Sequence, residues 1–140
     1  MFTIVGTIAT FSAVLWAAYV YTKNSRLERA KWLASLYEKF YEKEHLKDIR
    51  EILDCDDEIS LEITKLIREE PAGFTDYLNF FEFVAFLRYS KQLNFEEINQ
   101  LFSYYLKCLY QRKDIHKYIL QKDYELLDKL LKEFAEKRKW

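Results

Sequence analysis

With 140 residues, 22 Lys/Arg against 23 Asp/Glu and a formal net charge of −1, the chain has room for one folded domain but no basic excess, so direct nucleic-acid binding is not expected. Glycine occurs only at Gly6 and Gly73 and proline only at Pro71, which excludes a loop-rich architecture and predicts helix throughout. Cys55 and Cys108 have no CxxC spacing and no neighbouring His, so they read as two reduced thiols of a cytosolic domain.

The first 22 residues, MFTIVGTIATFSAVLWAAYVYT, carry no charged side chain. As helix, the stretch from Phe2 to Thr22 reaches about 31 Å at ~1.5 Å per residue, close to the ~30 Å of a bilayer's hydrocarbon core. A cleaved signal peptide would need a basic segment ahead of the apolar run, and none precedes Phe2. A hydrophobic helix buried in a soluble core is the other alternative. The expected organisation is a transmembrane helix over 1–22 and a cytoplasmic helical domain over 23–140. Lys23, Arg26, Arg29 and Lys31 follow the span directly and place this end in the cytoplasm, with the N-terminus outside. Trp16, Tyr19 and Tyr21 sit at the same end, where amphipathic rings favour the headgroup layer.

Within the span, Thr3, Thr7 and Thr10 share one helical face, and Gly6, Ala9, Ala13 and Ala17 form a stripe of small residues beside it. Small residues let membrane helices approach closely, so this stripe is a candidate packing face between subunits. The threonine face would then line a central lumen. The plainer reading is that the hydroxyls bond back to the preceding turn and the small residues pack on nothing.

Beyond the span, "RLERAKWLASLYEKFYEKE" keeps helical periodicity through Leu27, Leu33, Tyr37 and Phe40, predicting a rod that could run on through Leu46, Ile49 and Leu53. "DCDDE" marks a break, with Asp56 or Asp57 as N-cap of a helix carrying Ile59, Ile63, Leu66 and Ile67. Pro71 and Gly73 form the next loop. "FTDYLNFFEFVAFLRYS" is apolar almost all round and predicts a central buried helix. Glu82 inside it needs a partner, and Asn79, one turn earlier, is the candidate, making the two a buried polar pair. Asn94 and Glu97 predict a capping box ahead of "FEEINQLFSYYLKCLYQR". A short turn over 114–120 and a last helix capped by Asp123, with Leu127, Leu130, Leu131 and Phe134 inward, complete the reading. The fold class is all-α: a membrane helix followed by a bundle of about five helices.

Few sites of chemistry are available. No glycine-rich phosphate loop exists, and two histidines without HExxH or a Cys/His cluster predict neither metal nor cofactor. One pair stands out in "QRKDIH": Arg112 and His116 at i, i+4 would share a helix face. HEPN-class ribonucleases use Arg–x(4–6)–His, His moving the proton and Arg holding the phosphate charge. Here the spacing is Arg–x(3)–His, one residue short, which favours a solvent-facing Arg–Asp–His surface over catalysis.

The whole layout resembles small bacterial single-span proteins with a helical cytoplasmic domain, whose central helix reads like "YLNFFEFVAFL". It is similar in particular to the membrane accessory proteins of type VI-B CRISPR systems, which carry a divergent HEPN-like motif. That resemblance implies an inner-membrane, ring-like homo-oligomer that forms a pore and supports antiviral defence by depolarising the membrane. An RNA-guided ribonuclease would act upstream. The alternatives are a membrane-tethered ribonuclease using Arg112 and His116, and an inert anchor that recruits a protein partner.

Overall fold

The computed structural model describes residues 2–54 and 60–140, with side chains described from Ser12 onward except that of Ser60. Among the described residues it is all-α: α1 (Phe2–Glu42), α2 (Glu44–Asp54), α3 (Ser60–Glu69), α4 (Ala72–Tyr89), α5 (Phe95–Gln111), α6 (Lys113–Gln121) and α7 (Glu125–Arg138). Two compact units divide between Lys39 and Phe40.

The first unit holds α1 up to Lys39. Ala13, Ala17, Trp16, Tyr19 and Tyr21 are exposed, and Thr22 Oγ1 donates back to the Ala18 carbonyl at 2.8 Å. Among the described residues no helix is long and apolar enough to cross a membrane. The described side chains of the uncharged stretch begin only at Ser12, so those of Thr3, Thr7, Thr10, Gly6 and Ala9 lie outside the description.

The uncharged stretch and the segment after it form one continuous helix as expected. The second unit begins at Phe40, and here only the expected extension of that rod through Leu46, Ile49 and Leu53 is corrected. The helix ends at Glu42, because the Lys43 carbonyl accepts from the amides of Leu46 and Lys47, both at 3.1 Å, and starts α2 afresh. Arg50 then reaches back from α2 onto the end of α1. Its Nη1 donates to the Phe40 carbonyl and its Nη2 to that of Tyr41 at 3.2 Å. The same guanidinium lies over both rings, 4.9 and 4.8 Å from their centroids. A cation on the last carbonyls of a helix satisfies orphan acceptors and opposes the negative end of its dipole. The turn puts Leu46, Ile49 and Leu53 into the core.

Phe40 itself is fully buried. Its ring meets Tyr105 at 4.9 Å, Phe80 at 5.0 Å, Phe81 at 5.3 Å, Phe102 at 5.5 Å and Tyr77 at 5.8 Å between centroids. Most of these pairs are edge-to-face or tilted, the arrangements that ring quadrupoles favour. α4 and α5 thus close over one ring from the end of α1.

α4 is not apolar all round in use. Phe74, Tyr77, Leu78, Phe81, Val84 and Leu87 are buried, whereas Phe83 and Phe86 are each 49 % exposed. Asn79 is exposed, contrary to the expected burial, because it lies on that outward side. Glu82 is half-buried and does not turn to Asn79. Its carboxylate accepts from the backbone amides of Leu127 at 2.7 Å and Leu126 at 3.3 Å, at the start of α7. That replaces the expected Asp123 cap: Asp123 adopts φ 59°, a left-handed turn that Asp tolerates. Tyr124, which precedes α7, offers no side-chain cap. The capping box at Asn94 forms fully, with Glu97 N to Asn94 Oδ1 at 2.8 Å and Asn94 N to Glu97 Oε2 at 2.9 Å. The Asp56/Asp57 cap and Cys55 lie outside the described residues.

Residues 114–120, expected as a turn, belong to α6, so among the described residues α2–α7 give six helices beyond α1 where about five were expected. Ile115, Tyr118 and Ile119 are its buried face, and their spacing is helical.

Two substitutions in this core have opposite expected effects. Phe40→Ala should cost about 3–5 kcal/mol in chemical denaturation, as large ring truncations do. Tyr77→Phe should leave stability unchanged or raise it by about 1 kcal/mol, since the buried Tyr77 hydroxyl has no hydrogen-bond partner among the described residues.

Candidate functional site

Arg112 is the residue between α5 and α6, with φ −82° and ψ 98°. It is extended, not helical, so the pair is not carried on one helix as the spacing predicted. The Arg112 carbonyl accepts from the His116 amide at 2.9 Å, which starts α6.

The two side chains then meet different partners. Arg112 Nη2 donates to the Leu53 carbonyl at 2.7 Å, in the last turn of α2. Beside it, the Tyr104 hydroxyl of α5 donates to Asp54 Oδ1. Arg112 thus supplies a donor to a carbonyl in the last turn of α2, and Tyr104 holds the side chain of its last residue. His116 Nε2 lies 2.9 Å from Asp128 Oδ1 on α7, while Lys132 Nζ donates to Asp128 Oδ2 at 2.6 Å. The Tyr110 ring covers the imidazole at 5.2 Å and packs on Trp140 at 6.0 Å. A ribonuclease built on this Arg–His pair needs the guanidinium and imidazole to converge on one phosphate group; here Arg112 bonds α2 and His116 ties α6 to α7.

A parallel set of ties joins α4 to α7. Glu133 accepts from Arg88 at 2.7 Å, from the Tyr89 hydroxyl at 3.0 Å and from Lys137 at 3.0 Å. Lys129 lies 4.1 Å over the Tyr89 ring. Glu70, next to the Pro71 turn, accepts from Lys122 at 2.6 Å and from the Tyr118 hydroxyl at 2.9 Å.

The electrostatics follow these contacts. Burial pushes the Asp128 carboxyl up, but the hydrogen bonds from Lys132 and His116 outweigh it and its pKa falls below the usual Asp value. Glu133 behaves alike, burial opposed by Arg88, Lys137 and Tyr89. The bonds from Lys122 and Tyr118 lower Glu70. Burial, then the bond to Glu70, raises Tyr118 to about 12.

A groove of about 440 Å³ lies between α2, α3 and the start of α4. Ile49, Ile52 and Leu66 line it with Asp48, Glu62 and Lys65. His45, at its edge, is half-exposed and 3.3 Å from Asp76. Among the described residues no three His, Cys, Asp and Glu side chains are placed to hold a metal ion. Cys108 is a thiol of intermediate exposure.

Sequence reasoning missed Asp128, Glu133 and Arg50 as organising residues. Asp128 had one readable signal, its place in the first turn of a helix with Lys132 four residues on.

Arg112→Ala should cost about 1–3 kcal/mol without altering the helix content of the folded state, because it removes the guanidinium's charged hydrogen bond to the Leu53 carbonyl. The lowered carboxylates stabilise the fold above their unfolded pKa of about 4, and that contribution is lost as pH falls through their lower folded values. Unfolding free energy should therefore decline in acid below about pH 4, and Asp128→Asn should flatten that decline when denaturant midpoints are compared across pH.

Comparison with protein-family models, with curated proteins and with solved structures finds no match.

Proposed function

We propose that this chain is a homo-oligomeric, pore-like protein of the bacterial inner membrane that supports antiviral defence by depolarising the membrane. One observation carries the reading: α1 is helical from Phe2, through the 22-residue uncharged start of the chain and on past the basic cluster. A helix satisfies its own backbone, as a lipid-embedded segment must. Lys23, Arg26, Arg29 and Lys31 then hold the following domain on the cytoplasmic side.

On this reading Gly6, Ala9, Ala13 and Ala17 pack neighbouring spans, and Thr3, Thr7 and Thr10 face the lumen. The protein acts without covalent chemistry. Support for that comes from Arg112 and His116, whose polar atoms serve the Leu53 carbonyl and Asp128. The likeness to the type VI-B accessory proteins supplies the defence role, with an RNA-guided ribonuclease as the upstream signal and no direct contact to nucleic acid.

The test is ion flux from liposomes holding the full-length protein. Wild type should dissipate a potassium gradient, and Thr7→Arg should slow cation flux several-fold while leaving the detergent-solubilised mass unchanged. His116→Ala should leave flux intact. A monomeric protein without flux would overturn the proposal.

A further inference from the structure

The exposed residues of α4 are Ala72, Asp76, Asn79, Phe83 and Phe86, and Ser90 follows just past the helix end. Their spacing runs four, three, four, three, four. That is the repeat with which one helix presents a seam to another, narrower than the stripe a helix turns toward a core. The remaining α4 residues are buried or half-buried, so the seam is the helix's whole outward face.

Its centre is apolar and ordered. Phe83 and Phe86 are each 49 % exposed, and their rings lie stacked at 6.3 Å and 19°. Two adjacent phenyl rings held outward in a charge-dense domain form the kind of patch that marks a contact surface.

We propose that this seam pairs antiparallel with the same seam of a second copy. The sequence along it is self-complementary in that direction only. With the pair centred between Phe83 and Phe86, each Phe83 meets the other copy's Phe86, and each Asn79 meets the other copy's Ser90. Asp76 then approaches the far end, where Lys91 is exposed. A parallel pair would instead set Asp76 against Asp76 and Asn79 against Asn79. Like charges across a seam repel, and polar seam residues fix orientation and register. The contact is isologous and closes at two copies. It is therefore distinct from the packing between spans and stands without it.

The experiment uses full-length protein in detergent. Asn79→Cys and Ser90→Cys chains, each with Cys55 and Cys108 changed to Ser, are mixed and oxidised. The proposal expects a 79–90 disulfide between chains and little 79–79 linkage. A dominant 79–79 link, or no link between chains at all, would overturn the antiparallel pairing. In parallel, Phe83→Asp/Phe86→Asp in the native-cysteine background should reduce the mass seen by light scattering. Both positions are exposed, so folding, checked by circular dichroism, is retained. If wild type self-associates and this variant keeps its mass, the α4 pairing fails while the span-mediated assembly stands. If wild type is monomeric, both fail.

Discussion

The buried ring of Phe40 is the constraint on which the second unit depends. It stands at the end of α1, and a fully buried phenyl group needs cover from every side. Tyr77, Phe80 and Phe81 of α4 and Phe102 and Tyr105 of α5 provide most of it. Arg50 closes the remaining side by lying over the ring while bonding the carbonyl of the same residue. This explains why the helix stops at Glu42: a guanidinium on those last carbonyls occupies the place where a further turn's amides would bond. The chain turns at Lys43, and α2 comes to lie where its apolar face meets α4 and α5.

Around that ring the helices are joined by a small number of carboxylates, each serving several donors. Glu82, Asp128, Glu133 and Glu70 gather two backbone amides, an imidazole, a guanidinium, three ammonium groups and two phenols among them. Placing such groups at the edge of an apolar core satisfies them without full desolvation, the condition under which ion pairs contribute rather than cost. A domain dense in charge but close to neutral is the compositional trace of this design. Arg112 and His116 belong to the same scheme, one finishing α2 and the other meeting α7.

The all-helical class was legible because glycine and proline are so scarce and apolar periodicity so regular. The Asn94–Glu97 box was legible because both its bonds are local, three residues apart. Asp123 failed as a cap because the acceptor for α7 comes from Glu82, some forty-five residues earlier, and no local pattern carries that information. The same limit hid Arg50, whose partners lie on the preceding helix. α6 was readable from Ile115, Tyr118 and Ile119, but its brevity made three apolar residues look like a turn. For Arg112 and His116, spacing showed that they could share a face; it could not show that the backbone leaves the helical region at Arg112. Phe83 and Phe86 misled in the other direction, since apolarity alone does not distinguish a core face from a surface seam.

Glu82 has a kinetic consequence. A helix whose first amides are capped from within its own sequence can begin to form alone, but α7 has no such cap and takes its acceptor from α4. Short isolated helices are marginal in water. α7 therefore gains its first turn only when it docks, and the amides of Leu126 and Leu127 report that docking directly. During synthesis α4 emerges well before α7, and until α7 arrives Glu82, Arg88 and Tyr89 wait hydrated beside an uncovered apolar face. α7 thus completes the second unit by docking on α4, which supplies the acceptor for its first amides.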